Sequence, residues 1–191
     1  MKIIDCIGDL CPLPVIKTKK AILEGASIIE VHVDNKISCD NVQSYARSAG
    51  YDSHVEQNNG FFSIIIQSSQ NPKLESLDKV NESLVAISSN TMGFGDEKLG
   101  LSLMQAFIFA ISQLDVLPKE ILLYNSGVFL ADEKSLILED LRKLEKMGVN
   151  IYSCGICVEF YNLKETIAVG SITNMYTIVE KMQQARNVIR P

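Results

Sequence analysis

Pro12 and Pro14 follow Cys11 at the join between a short apolar run and the next regular segment, and they leave the backbone little choice there. Proline lacks an N–H and has a fixed φ, so it suits the first turn of a helix and discourages helix just before it. The spacing predicts a strand over Lys2 to Cys6, a turn at Gly8, and a helix from Pro12 to Glu24 ended by Gly25. In this reading Cys11 caps the helix. A sulfur at a helix N-terminus meets free amides and the positive end of the macrodipole, both of which favour thiolate over thiol. Pro14 stands where a Cys-x-x-Cys pair would carry its second cysteine, so no local disulfide closes. A thiol of this kind suits holding and passing on a sulfur atom better than dithiol exchange. The structural alternative is a buried cysteine beside a proline-stiffened turn.

The first half continues in short, well-marked segments. Ser27 to Val33 alternates as a strand, Ser38 or Asp40 caps a helix running to Ala49, and Gly50 stops it. Asp52 to Gln57 and Phe61 to Gln67 flank Asn58-Asn59-Gly60, a hairpin signal. The order βαβαββ fits a two-layer α/β sandwich.

The pattern Asp5, Gly8, Cys11, Pro12, Pro14 resembles the TusA (SirA-like) sulfur-carrier family over roughly the first seventy residues. In that family the cysteine before the first proline carries a persulfide, so the resemblance implies that Cys11 is the carrier residue. Ile7 stands where an arginine is frequent, and Asp9 displaces to Leu10 the leucine that usually follows the glycine. These departures bear on partner choice rather than on the sulfur chemistry.

The chain has 191 residues, 47% of them hydrophobic, which suffices for packed cores. Its first fourteen residues hold two acids and two prolines rather than a basic and then apolar run, so the expectation is a cytoplasmic protein. Leu101 to Leu114 is too short and too interrupted to span a bilayer, so no membrane association is expected. A net charge of −5 argues against a nucleic-acid surface, which needs a basic stripe. Lys17, Lys19 and Lys20 form the one local basic cluster, read as a solvated helix face or an attractor for an acidic partner. Five cysteines without an export signal point to reduced thiols rather than a disulfide framework.

A polar stretch with one proline, from Ser68 to Ser76, separates the halves, and the chain is read as a first domain over 1–68, a linker over 69–79 and a second domain over 80–191. Strands are expected at Leu84 to Ser88, Glu120 to Asn125, Val149 to Ser153 and Thr166 to Val169. Helices are expected at Leu99 to Leu114, Ser135 to Met147 and Met175 to Ala185, the last capped by Asn174. Strands alternating with long helices imply a mainly parallel sheet in a three-layer αβα domain.

Ligands and reactive groups in such sheets gather at the carboxyl ends of the strands. Cys154-Gly155-Ile156-Cys157 lies at one such end, and Asn90 to Asp96 and Asn125-Ser126-Gly127 are expected to converge on it. Gly93 and Gly95 would let amides approach an anion, but the Gly-Lys-Ser/Thr ending of a nucleotide loop is missing. Zinc needs more ligands than one Cys-x-x-Cys pair, since His32 and His54 belong to the first half and read as exposed strand residues. A redox disulfide, a persulfide acceptor that discharges by forming a disulfide, and two packed cysteines remain open. Cys6 is read as strand-end packing or as a resolving partner for Cys11, and Cys39 as structural.

Over the second half the chain resembles the DsrE family, whose small αβα domains carry a sulfur-handling cysteine after a central strand, a position Cys154 matches. A TusA-like domain followed by a DsrE-like one, with Asn125-Ser126-Gly127-Val128, Cys154-Gly155-Ile156-Cys157 and Thr173-Asn174-Met175-Tyr176, resembles the YedF-like proteins of selenium metabolism. The expected function is a sulfurtransferase-like carrier that accepts sulfur or selenium as a persulfide or selenopersulfide on Cys11, with Cys154, helped by Cys157, as a second acceptor. The expected partners are a donor protein, such as a cysteine desulfurase, and an acceptor protein. Thiolate attack on a terminal sulfur requires neither a metal nor an organic cofactor. The resemblance to DsrE alone implies a homo-oligomer. Two rivals remain: a dithiol redox protein acting through Cys154 and Cys157, and an interaction module that moves no sulfur.

Overall fold

Along Ile28–Val33 (β2) the side chains of Ile29, Val31 and Val33 are fully buried while Ile28, Glu30 and His32 are partly covered, the period of a sheet with one packed face. This strand belongs to a computed structural model that describes residues 1–58, 60–68 and 82–191. The chain divides into two units, Met1–Leu77 and Asp78–Pro191. The linker expected over 69–79 lies outside the described residues, as does Asn59 of the expected hairpin turn.

In the first unit Lys2–Asp5 (β1), Leu13–Leu23 (α1), β2, Lys36–Ser48 (α2), Tyr51–Asn58 (β3) and Phe61–Ser68 (β4) follow in the expected order. The sheet runs β1-β2-β4-β3, with β1 parallel to β2 and the remaining neighbours antiparallel. Both helices cover one face. Ala21 and Ile22 of α1 and Cys39, Val42 and Ala46 of α2 join Ile29, Val31, Ile64 and Ile66 in a single apolar cluster. On the other face Glu30 accepts a hydrogen bond from Ser63 Oγ at 2.7 Å and lies 2.9 Å from His32 Nε2. His32, then Ser63, hold the Glu30 carboxyl below its ordinary range.

Helix α2 begins before Ser38 and Asp40, the caps expected from sequence. Asn35 is extended there (φ −137°, ψ 154°), and its side chain accepts from Ser38 N at 2.8 Å. All three residue types cap well, so the backbone conformation decided among them.

The second unit comprises Ser83–Ile87 (β5), Glu97–Ile111 (α3), Glu120–Leu123 (β6), a 3-10 helix over Asn125–Ala131, Leu138–Lys146 (α4), Asn150–Cys154 (β7), Gly155–Phe160 (α5), Ser171–Thr173 (β8), Met175–Gln184 (α6) and Asn187–Ile189 (β9). Its sheet, β8-β7-β6-β5-β9, is parallel at every pairing. Both faces are packed, which is why Leu84 to Ile87 and Ile121 to Leu123 read as unbroken apolar runs. Val85, Ile87, Ile121 and Leu123 face α3 and α4, whereas Leu84, Ala86 and Leu122 face Ile178 of α6. Three layers result.

The strand expected at Thr166 to Val169 is instead a turn, with one antiparallel bridge between Asp132 and Ile167. The Thr166 hydroxyl bonds the Asp132 carboxylate, and Glu133 N donates to the Thr166 carbonyl at 2.8 Å. These bonds draw the segment onto the loop after the 3-10 helix and leave Ser171–Thr173 to pair with β7. The 3-10 helix, α5 and β9 were not expected, each being too short to show a period. No helix among the described residues is long and apolar enough to cross a membrane.

Candidate functional site

The loop between β1 and α1 is held from several sides. Gly8, at φ 79°, points its N–H at Asp34 Oδ2, 2.9 Å away, a geometry that favours glycine. That bond, first among its causes, keeps the Asp34 carboxyl below its ordinary range. Asp5 Oδ1 accepts from Ile7 N at 3.0 Å, and Lys17 of α1 reaches back to Asp9 Oδ2 at 2.5 Å and to the Asp5 carbonyl at 3.3 Å. Cys11 stands exposed at the end of this loop, before a cis Cys11–Pro12 peptide bond. Its sulfur is contacted by Asn41 Nδ2 of α2 at 3.8 Å.

Cys11 is not the helix cap expected from sequence. The helix begins at Leu13 and Pro12 takes the cap position, so the sulfur belongs to the residue before the cap. Lys17, expected as part of a solvated or partner-attracting cluster, is instead tied to the loop. Asn41 was not anticipated, since its approach to Cys11 depends on how α2 packs beside α1.

Cys6 and Cys39 are buried in the apolar cluster of the first unit. Burial, then a hydrogen bond to Asp9, pushes the Cys6 thiol up to about 12. Burial also raises Cys39. A thiol that keeps its proton this firmly is a poor nucleophile.

In the second unit Cys154 ends β7 and Cys157 lies one turn into α5. Cys154, expected as a second sulfur acceptor, is 0% exposed, packed with Leu84, Ala86, Leu122 and Ile178. Cys157 is the partly accessible member. Its sulfur accepts a hydrogen bond from Asn125 N at 3.1 Å, and the residue packs against the cluster that contains Cys154. Burial and the Cys154 contact raise Cys157, while the Asn125 N–H opposes them. Asn125 adopts φ 50°, which asparagine tolerates, and its Oδ1 accepts from Tyr161 Oη at 3.1 Å. Both sulfurs are free.

Of the loops expected to converge here, Asn125 does so. Asn90 instead lines a cavity of about 540 Å³ with Phe129, Asp132, Ser135, Asn162 and Thr166. The glycine loop makes a poor anion cradle, because the Asp96 carboxylate already accepts from Leu99 N at 2.8 Å and puts negative charge at the start of α3. Among the described residues no group of three or more His, Cys, Asp or Glu is placed to hold a metal ion.

Comparison with known proteins divides along the same two units. The family model described as Sulfurtransferase TusA matches residues 2–68, and that of the DsrE/DsrF-like family matches residues 84–191. YrkI of Bacillus subtilis, named as a candidate sulfur carrier protein, is 38% identical over 53 residues, which span 27% of this chain and 71% of YrkI. MJ0990 of Methanocaldococcus jannaschii, named in the same terms, is 43% identical over 53 residues, again 27% of this chain and 71% of the relative. A solved SirA-like protein from Desulfitobacterium hafniense is 40% identical and covers 37% of this chain and 100% of its own, with a TM-score of 0.34.

Proposed function

The chain belongs to the TusA sulfurtransferase family through its first unit and to the DsrE/DsrF-like family through its second, and from that membership we propose that it carries sulfur as a persulfide on Cys11. The observation that carries this reading is the contrast within one short loop. Cys11 is exposed at its end while Cys6, five positions earlier, is buried and firmly protonated. The Cys11 thiolate attacks the terminal sulfur of a donor persulfide; the new S–S bond forms on Cys11 as the old one breaks, and the donor leaves as its thiolate. No metal or organic cofactor takes part. Residues 1–68 and 80–191 act as the two functional parts, joined by 69–79, with Cys154 and Cys157 as a second sulfur-handling site. Selenium replaces sulfur as cargo in the YedF-like form of this reading. The donor is a protein of the cysteine desulfurase kind and the recipient is an acceptor protein. The five free cysteines suit a cytoplasm that keeps thiols reduced.

The test is intact-mass analysis and peptide mapping of the reduced protein after incubation with cysteine and a cysteine desulfurase, alongside Cys11→Ser. One added, reductant-sensitive sulfur on the Cys11 peptide, lost in Cys11→Ser, supports the reading, and repeating the loading with a selenium donor tests the cargo. The contact between Cys154 and Cys157 favours a second reading, a dithiol redox protein. That reading predicts a reversible disulfide and an activity indifferent to Cys11→Ser.

A further inference from the structure

Resting on the sulfur-carrying reading above, we propose that Cys157 is the sulfur of the second unit that receives cargo, and that buried Cys154 discharges it by closing a disulfide with Cys157. The order runs opposite to sequence position, since Cys154 sits at the strand end and would be read as the acceptor.

Access decides the first role. Cys154 lies in the closed layer between the sheet and α6, walled by Leu84, Leu122 and Ile178, so a donor persulfide would have to part that layer to meet it. Cys157 is partly open to solvent on α5. The Asn125 N–H, 3.1 Å from Cys157 Sγ, is the donor that stabilises negative charge on that sulfur. Its aim is fixed by the left-handed backbone of Asn125 and by the hydrogen bond from Tyr161, whose ring packs 4.7 Å from that of Phe129. This N–H serves Cys157 as attacking thiolate and again as leaving group when a disulfide on it is reduced.

Contact decides the second role. Cys157 packs against the buried cluster that contains Cys154, the two thiols interact, and both are free. In the loading step the Cys157 thiol takes the terminal sulfur from R–S–SH, giving Cys157–S–SH and R–SH. In the discharge step Cys154 attacks the inner sulfur of Cys157–S–SH; the Cys154–Cys157 bond forms, the bond to the outer sulfur breaks, and that sulfur leaves as hydrogen sulfide with the proton from Cys154. In this step the Cys154 sulfur is oxidised by one electron and the outer sulfur is reduced by one, while the Cys157 sulfur keeps the oxidation state it took on loading, so electrons balance without an external oxidant. A dithiol reductant restores the two thiols.

The experiment uses the full chain carrying Cys11→Ser, with glutathione persulfide as donor, so that sulfur reaches only the second unit. It is compared with the same chain carrying also Cys154→Ala or Cys157→Ala, each checked for its fold by circular dichroism. The Cys11→Ser protein is expected to release hydrogen sulfide and end with a Cys154–Cys157 disulfide. Adding Cys154→Ala should leave one extra sulfur trapped on the Cys157 peptide and cut sulfide release at least about tenfold. Adding Cys157→Ala should abolish uptake. Loading of Cys154 at an undiminished rate in the Cys157→Ala chain overturns the proposal, as does undiminished sulfide release in the Cys154→Ala chain. If the Cys11→Ser chain takes up no sulfur while Cys11 of the unsubstituted chain does, this proposal fails and the carrier role of Cys11 stands. Loading of Cys157 without loading of Cys11 supports this proposal and removes the other.

Discussion

Lys17 Nζ lies 2.5 Å from Asp9 Oδ2, so a side chain of the first helix holds the loop that presents Cys11. The Asp9 hydrogen bond, the largest of its causes, raises the Lys17 ammonium above its ordinary value. Asp9 also holds the Cys6 thiol, so one carboxylate links the buried cysteine, the helix and the loop.

Lys17→Ala should therefore separate positioning from stability. The lysine side chain is 41% exposed, so its loss costs under about 1 kcal/mol. Sulfur uptake on Cys11 should nevertheless fall roughly tenfold, because the loop loses its tie to the helix. Uptake rate and thermal midpoint, measured on the same samples, check this. An unchanged uptake rate would remove the positioning role.

Cys6, with a thiol pushed up to about 12, should resist alkylation in the native protein at pH 8 while Cys11 is labelled. Peptide mapping after iodoacetamide treatment reads the order, and Cys6 should become labelled once the chain is unfolded. Equal native labelling of the two would contradict the burial of Cys6.

Cys157 sits above the ordinary thiol value of 9.0, so its thiolate is the minority form at neutral pH. Its alkylation rate should climb by about tenfold per pH unit from pH 7 and keep rising past pH 9. A plateau by pH 8 would mean that the Asn125 N–H outweighs burial and the Cys154 contact.

Lys181 of α6 donates to Glu120 of β6 at 2.6 Å and lies 4.4 Å above the Tyr152 ring. The Glu120 hydrogen bond, foremost among its causes, raises Lys181 above 10.5. A raised lysine contributes stability that is fully present below its unfolded value and is lost as pH rises through the folded one. Glu120→Gln should therefore lower stability by about 1 kcal/mol at pH 7, with the gap to the parent closing above pH 10.5. Urea denaturation at both pH values measures it.

Much of the fold was legible because its signals are local and repeated. Gly25 and Gly50 both take positive φ after the helices they were expected to end. The alternating run Ile28–Val33 became a half-covered strand, and the unbroken run Leu84 to Ile87 became a strand buried on both faces. Thr166 to Val169 misled because β-branched and apolar residues mark strands only on average, and the Asp132 carboxylate claimed the Thr166 hydroxyl.

By itself the sequence determined which residue types stand at the ends of which strands: Cys11 before two prolines, and Cys154 and Cys157 after β7, because strand, turn and helix signals act over a few neighbouring residues. Only the tertiary structure decided which sulfurs meet solvent and what touches them. Cys154 is sealed by Leu84 and Leu122, far away in the chain, and Cys157 receives its N–H from Asn125, 32 positions earlier. Burial and hydrogen bonding depend on the packing of segments distant in sequence, and at Cys6, Cys39 and Cys157 they raise the thiol's hold on its proton.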